Sequence, residues 1–214
     1  MIESFSSAKW LLAGLLCLVL GLAPGVAYGQ SAKLRDAFLQ YSTLFKQGRY
    51  EQALPYARKA AALGELEFGS DHPTTANLFS SLALVYYAQG RYSEAEAPYK
   101  RALAINESTL GPEHPNVAAV LNNLALLYDS QGRYGDAEPH YKRALAIREK
   151  SLGPNHPEVG ASLKNLALLY YAQGKYSEAE PLLKRTLAIW QEALGPDHPD
   201  VAEALESYAV LLRS

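Results

Sequence analysis

The 214-residue chain holds 33 Ala and 35 Leu but only 17 Val, Ile and Thr together. Ala and Leu cost a helix little, and the β-branched residues are too few to build several strands, so the balance excludes a β-rich fold. Twenty Lys and Arg against 22 Asp and Glu give a net charge of -2 with the signs interspersed, which leaves no footprint for nucleic acid, and 49% hydrophobic residues with 15 Tyr exclude general disorder.

The first element in chain order is a leader. Glu3 and Lys9 precede a charge-free run from Trp10 to Ala23, which breaks at Pro24-Gly25. Ala27-Tyr28-Gly29 then sets small residues at the two positions a signal peptidase reads, so residues 1–29 are expected to be a signal peptide cleaved after Gly29. The competing reading is an N-terminal anchor, since the run stretched to Ala27 approaches the minimum for a membrane span. Cys17 lies inside the run, so the mature chain would carry no Cys, and an exported protein, periplasmic or secreted, is expected.

A period of 42 residues governs the rest of the chain. Gly-Arg-Tyr at 48–50, 90–92 and 132–134 is followed by Gly-Lys-Tyr at 174–176, and His-Pro recurs from 72, 114, 156 and 198. Residues 90–131 and 132–173 agree at 28 of 42 positions, the mark of a stacked-repeat architecture. Within a period, Val117, Leu121, Leu124, Ala125 and Tyr128 form one apolar stripe and predict a first helix of about 15 residues. Gly132 closes it in a left-handed turn. A second helix comes next, with Ala137, Tyr141, Ala144 and Leu145 inward. Ser93 with Glu96, and Ser177 with Glu180, have capping-box spacing. Pro139 and Pro181 fall near the start of second helices, where a missing N–H costs least and a slight bend is allowed for. No single helix pair buries its stripe alone, so stability must come from stacking.

These residues resemble the tetratricopeptide repeat (TPR), in the 42-residue form of kinesin light chain and its bacterial relatives. The family's small and aromatic positions read here as Leu124-Ala125, Tyr128, Ala137, Tyr141 and Ala144, and residues 82, 83, 86, 95, 99 and 102 repeat them. The third copy has Leu183 and Thr186 in place of the aromatic and the Ala, and the first copy is degraded into a cap. The resemblance implies an all-α, right-handed α-solenoid over residues 33–214. Its repeats are near 33–72, 73–114, 115–156 and 157–198, and a closing helix spans 199–214.

The resemblance also implies a function, a non-enzymatic scaffold that binds a protein or peptide on the concave face lined by first helices. Opposite the core stripe lie Asn122, Asn123, Leu126 and Asp129 in one copy and Lys164, Asn165, Leu168 and Tyr171 in the next, with Tyr87 in the copy before. The closing helix offers Glu203, Glu206, Ser207, Val210 and Arg213. In related arrays the second Asn of Leu-Asn-Asn-Leu-Ala bonds the backbone of an extended peptide, which transfers to Asn123 and Asn165. An amide has donors and an acceptor for any peptide unit. The alternative is that these amides bond neighbouring helices and read nothing. Tyr87 and Tyr171 are either interface anchors or partial packing. Lys164 beside Tyr171 suits a segment carrying a carboxylate and an apolar side chain.

Four His residues at equivalent loop positions invite a metal reading. Stacked helices about 8–10 Å apart cannot bring them to one ion with ligands at about 2 Å, so no metal is expected. The chain shows no zinc-protease, nucleophile-elbow or phosphate-loop motif, and no cofactor or catalytic residue is expected. Asn106-Glu107-Ser108 matches a glycosylation acceptor but falls within a predicted helix. The partner is an unidentified protein or peptide, with no nucleic acid and with membrane only through an uncleaved leader. The competing function is a self-assembling or envelope scaffold acting through the end helices.

Overall fold

A computed structural model describes residues 31–213. The leader, its cleavage after Gly29 and Cys17 lie outside the described residues. Among the described residues there are nine α-helices and no strand: α1 Ala32–Lys46, α2 Tyr50–Phe68, α3 Pro73–Ala88, α4 Tyr92–Leu110, α5 Pro115–Ser130, α6 Tyr134–Leu152, α7 Pro157–Ala172, α8 Tyr176–Leu194 and α9 Pro199–Leu211. They form two compact units, divided between Gly111 and Pro112.

The recurrent motifs set the ends of the helices. Each His before a Pro is an N-cap, its Nδ1 accepting the backbone N–H two residues on: His114 from Asn116 at 3.1 Å, His156 from Glu158 at 3.2 Å, His198 from Asp200 at 3.2 Å. The Pro beside it sits at the first helical position, where its fixed φ is right and its absent N–H would have no partner. At the other end Gly132 has φ +71°, a conformation open to glycine at little cost, and the chain turns there into α6.

Two expectations about the second helices are corrected. They begin at Tyr92 and Tyr176, one residue before Ser93 and Ser177, so neither Ser is an N-cap and no capping box forms. Arg91 precedes α4 instead and pairs along the first turn with Glu94. Pro139 is inside α6, which starts at Tyr134, so it falls beyond the first four free donors and one i→i−4 bond is lost.

In the first unit α1 packs on α2, α2 on α3 and α3 on α4. Ala83, Ala95 and Ala102 have no exposed surface, and Tyr99 is 1% exposed. In the second unit Ala125, Ala137 and Ala144 are likewise fully buried, and Tyr141 is 1% exposed. Leu121, Leu124, Leu127 and Leu163 are also buried, each stabilising the fold by about 1.5–3 kcal/mol. Between α6 and α7, Arg148 Nη1 donates to Ser162 Oγ at 2.6 Å. At the far end Val201 and Ala204 of α9 join Val159, Leu163, Leu187, Ile189 and Trp190 in one cluster. Trp190 donates from Nε1 to the Pro157 carbonyl at 2.9 Å, and its indole lies against Gly160.

Candidate functional site on the first helices

The helix phase read from sequence places one face of each first helix away from the core. On α7, Val159, Leu163 and Ala167 are buried, whereas Asn165, Leu168 and Tyr171 are half-buried. On α5, Leu126 and Asp129 are half-buried over a buried Leu121, Leu124 and Ala125. On α3 of the first unit, Tyr87 is half-buried but Leu84, at the place of Leu126, is only 1% exposed.

Three expected residues are placed differently from the reading that put them in reach of a ligand. Lys164 is 5% exposed, and its Nζ donates to Glu203 Oε1 of α9 at 2.6 Å while standing 5.6 Å from the centre of the Trp190 ring. A carboxylate from a partner is therefore not what Lys164 awaits, because the chain supplies its own. Asn122 is buried, and its Oδ1 accepts from Asn165 Nδ2 at 2.9 Å. The amide pair ties the first helices α5 and α7 together. Asn165 stays half-buried and keeps its second N–H and its carbonyl for another contact. Asn123 is 4% exposed, which withdraws most of its side chain from the face.

What lies open on the second unit is thus narrower than the sequence suggested: Leu126 and Asp129 from α5, and Asn165, Leu168 and Tyr171 from α7. Burial pushes the Asp129 carboxyl up to about 6. Sequence reasoning missed Tyr176. At the start of α8 this residue is 42% exposed, and its ring lies 5.4 Å from that of Tyr171, tilted by 47°. Tyr87 and Tyr92 repeat the pair in the first unit at 5.4 Å. The signal was available, since Tyr92 and Tyr176 are the last residues of the Gly-Arg-Tyr and Gly-Lys-Tyr motifs.

Among the described residues no group of His, Cys, Asp and Glu could hold a metal ion, and no helix is long and apolar enough to cross a membrane. Asn106 of the glycosylation match has no exposed surface within α4.

A family model described as the tetratricopeptide repeat matches residues 42–108, 99–150, 130–192 and 165–214. The chain belongs to the tetratricopeptide repeat family. Its fold is the all-α helix-turn-helix repeat of that family. Among solved structures the chain is similar to a kinesin light chain-like protein of Podosopora anserina with nearly identical TPR-like repeats, at 28% identity over 84% of this chain and 85% of that one, TM-score 0.73. It is similar also to BtubC (BKLC) from P. vanneervenii, at 24% identity over 97% of this chain and 81% of that one, TM-score 0.75. A third similar structure is aspartyl phosphate phosphatase F from Bacillus subtilis, at 20% identity over 99% of this chain and 56% of that one, TM-score 0.66. That likeness is one of fold. No curated protein matches the chain.

Proposed function

We propose that this TPR protein is a non-catalytic scaffold that binds an extended stretch of a partner protein or peptide along the first-helix face of α5 and α7. The observation that carries the reading is the strip of half-buried Leu126, Leu168 and Tyr171 on helices whose core stripes are buried. Apolar and aromatic groups held rigidly at partial exposure are the groups that anchor interfaces. Tyr176 extends the aromatic surface, Asn165 offers an amide for a peptide unit, and Asp129 sets a carboxyl at the α5 end. The ligand that fits carries an apolar or aromatic side chain against Tyr171 and Leu168. It needs no carboxylate for Lys164, whose charge is matched by Glu203.

Export through a cleaved leader belongs to the same proposal, supported by the apolar run and the Ala27-Tyr28-Gly29 sequence. The reading is tested by panning a library of random short peptides on the protein and on its Leu168→Ala/Tyr171→Ala double variant. Binders enriched on the protein should be lost on the double variant. Enrichment of the same binders on both would place the binding surface elsewhere.

A further inference from the structure

α9 carries an uncovered apolar stripe. Ala202, Leu205, Ala209 and the cap residue Leu212, which keeps helical angles, are all exposed, Leu205 by 46% and Leu212 by 63%. The equivalent side chains of the other first helices are core. On α5, for example, Ala118, Leu121, Ala125 and Tyr128 are at most 3% exposed. In those repeats the second helix of the pair lies on this face. Each second helix among the described residues already lies on its own first helix, so within them nothing covers the stripe of α9.

The stripe is complementary to itself. Its residues are spaced three, four and three apart, a pattern that reads the same in both directions. Reversal about the level of Ser207 exchanges Ala202 with Leu212 and Leu205 with Ala209, so every large side chain comes opposite a small one. That is the requirement of an isologous contact, in which residue i of one copy meets j of the other and j meets i. The flanking positions 206 and 208 exchange in the same way. The exposed Glu206 would come beside Tyr208 of the second copy, whose ring has Lys184 Nζ 6.0 Å from its centre; Glu180 already meets that ammonium at 2.8 Å, so the rim is polar and adds no new ion pair.

We propose that α9 is a docking surface for α9 of a second copy of this chain, packed antiparallel about a two-fold axis level with Ser207. The pairing goes beyond the first-helix binding site and leaves that face free. Four side chains per copy are few against a standard interface of about 20–30 residues a side, so the complex is a weak, concentration-dependent dimer.

Sedimentation equilibrium of the protein as the cell processes it, over roughly 1 μM to 1 mM, should show mass rising from one copy to two. Leu205→Glu should hold the mass at one copy across that range with an unchanged melting temperature, since Leu205 is exposed in the single chain. Mass of one copy at every concentration, or a dimer that survives Leu205→Glu, would overturn the pairing. Register is read separately by oxidation in a Cys17→Ser background. Ala202→Cys mixed with Leu212→Cys should give a disulfide-linked pair of the two variants. Neither should link to itself, because the same residue on two antiparallel copies is about 15 Å apart along the axis and a disulfide spans Cα atoms no more than about 7 Å apart. Self-linking equal to that of the mixture, or no linking in the mixture, contradicts the two-fold.

Discussion

Lys164 and Glu203 form an ion pair between α7 and α9, Nζ to Oε1 at 2.6 Å, with the Lys164 side chain 6% exposed and the Glu203 side chain 29% exposed. A buried ammonium is tolerated because it is paired, and its Trp190 neighbour adds a ring face. Removing the carboxylate alone leaves the ammonium buried without its counter-charge. Glu203→Ala should therefore destabilise the chain by about 1–3 kcal/mol, a range lowered from that of fully buried pairs because Glu203 is partly open to solvent. Lys164→Met combined with Glu203→Met should lie within about 1 kcal/mol of the parent, since an apolar pair of similar volume needs no counter-charge. Urea titrations decide it. An unchanged midpoint in Glu203→Ala would show that Lys164 reaches water without its partner.

The Lys164 pair shows where the sequence was readable and where it stopped. The helix phase was legible because the repeat supplies several copies of one stripe, and Val117, Leu121, Leu124, Ala125 and Tyr128 are all buried as that phase requires. Lys164 and Glu203 were both placed on the first-helix face by spacing. Their contact was not legible, because helical periodicity assigns a face and says nothing about which residues of two adjacent helices stand level. The same holds for Asn122 and Asn165, whose hydrogen bond is the helix-to-helix contact that stood as the alternative to reading a ligand. The capping boxes failed for a local reason. Ser93 and Ser177 have the right spacing to a Glu, but the turn after Gly90 and Gly174 starts the helix at the Tyr before them.

Gly160 is the fourth residue of α7, its N–H already bonded back to His156, and within a helix Gly costs up to about 1 kcal/mol relative to Ala. A Cβ there would stand 2.5 Å from Nε1 and 2.8 Å from Cδ1 of Trp190. Gly160→Ala should accordingly destabilise by about 1–3 kcal/mol through overpacking, against its propensity gain. In a Trp190→Leu background the same change should be neutral or stabilising. Thermal melts of the four chains test the coupling, and a stabilising Gly160→Ala in the parent would mean that the indole has room to move.

Asp129 links the site to pH. Its carboxyl is raised from the ordinary 3.8 to about 6 by burial, so the folded chain binds a proton more tightly than the unfolded one. Stability is then highest at the acid end of that window and falls as pH rises through about 6. Asp129→Asn removes the penalty. The variant should match the parent near pH 4 and exceed it at pH 7.5 by about 1–2 kcal/mol, the partial exposure of Asp129 keeping the gain below what full burial would give. Equal stability differences at both pH values would contradict a carboxyl raised by its partial burial.

The central claim is that the first-helix face of α5 and α7 binds a partner through Leu168 and Tyr171. Calorimetric titration of the tightest peptide selected on the protein measures this directly, against the parent, Tyr171→Ala and Lys164→Met/Glu203→Met. Tyr171→Ala should weaken binding tenfold or more, about 1.4 kcal/mol, while the Lys164 and Glu203 double variant binds as the parent does. Full affinity in Tyr171→Ala, with loss in the double variant, would contradict that claim and return the site to Lys164.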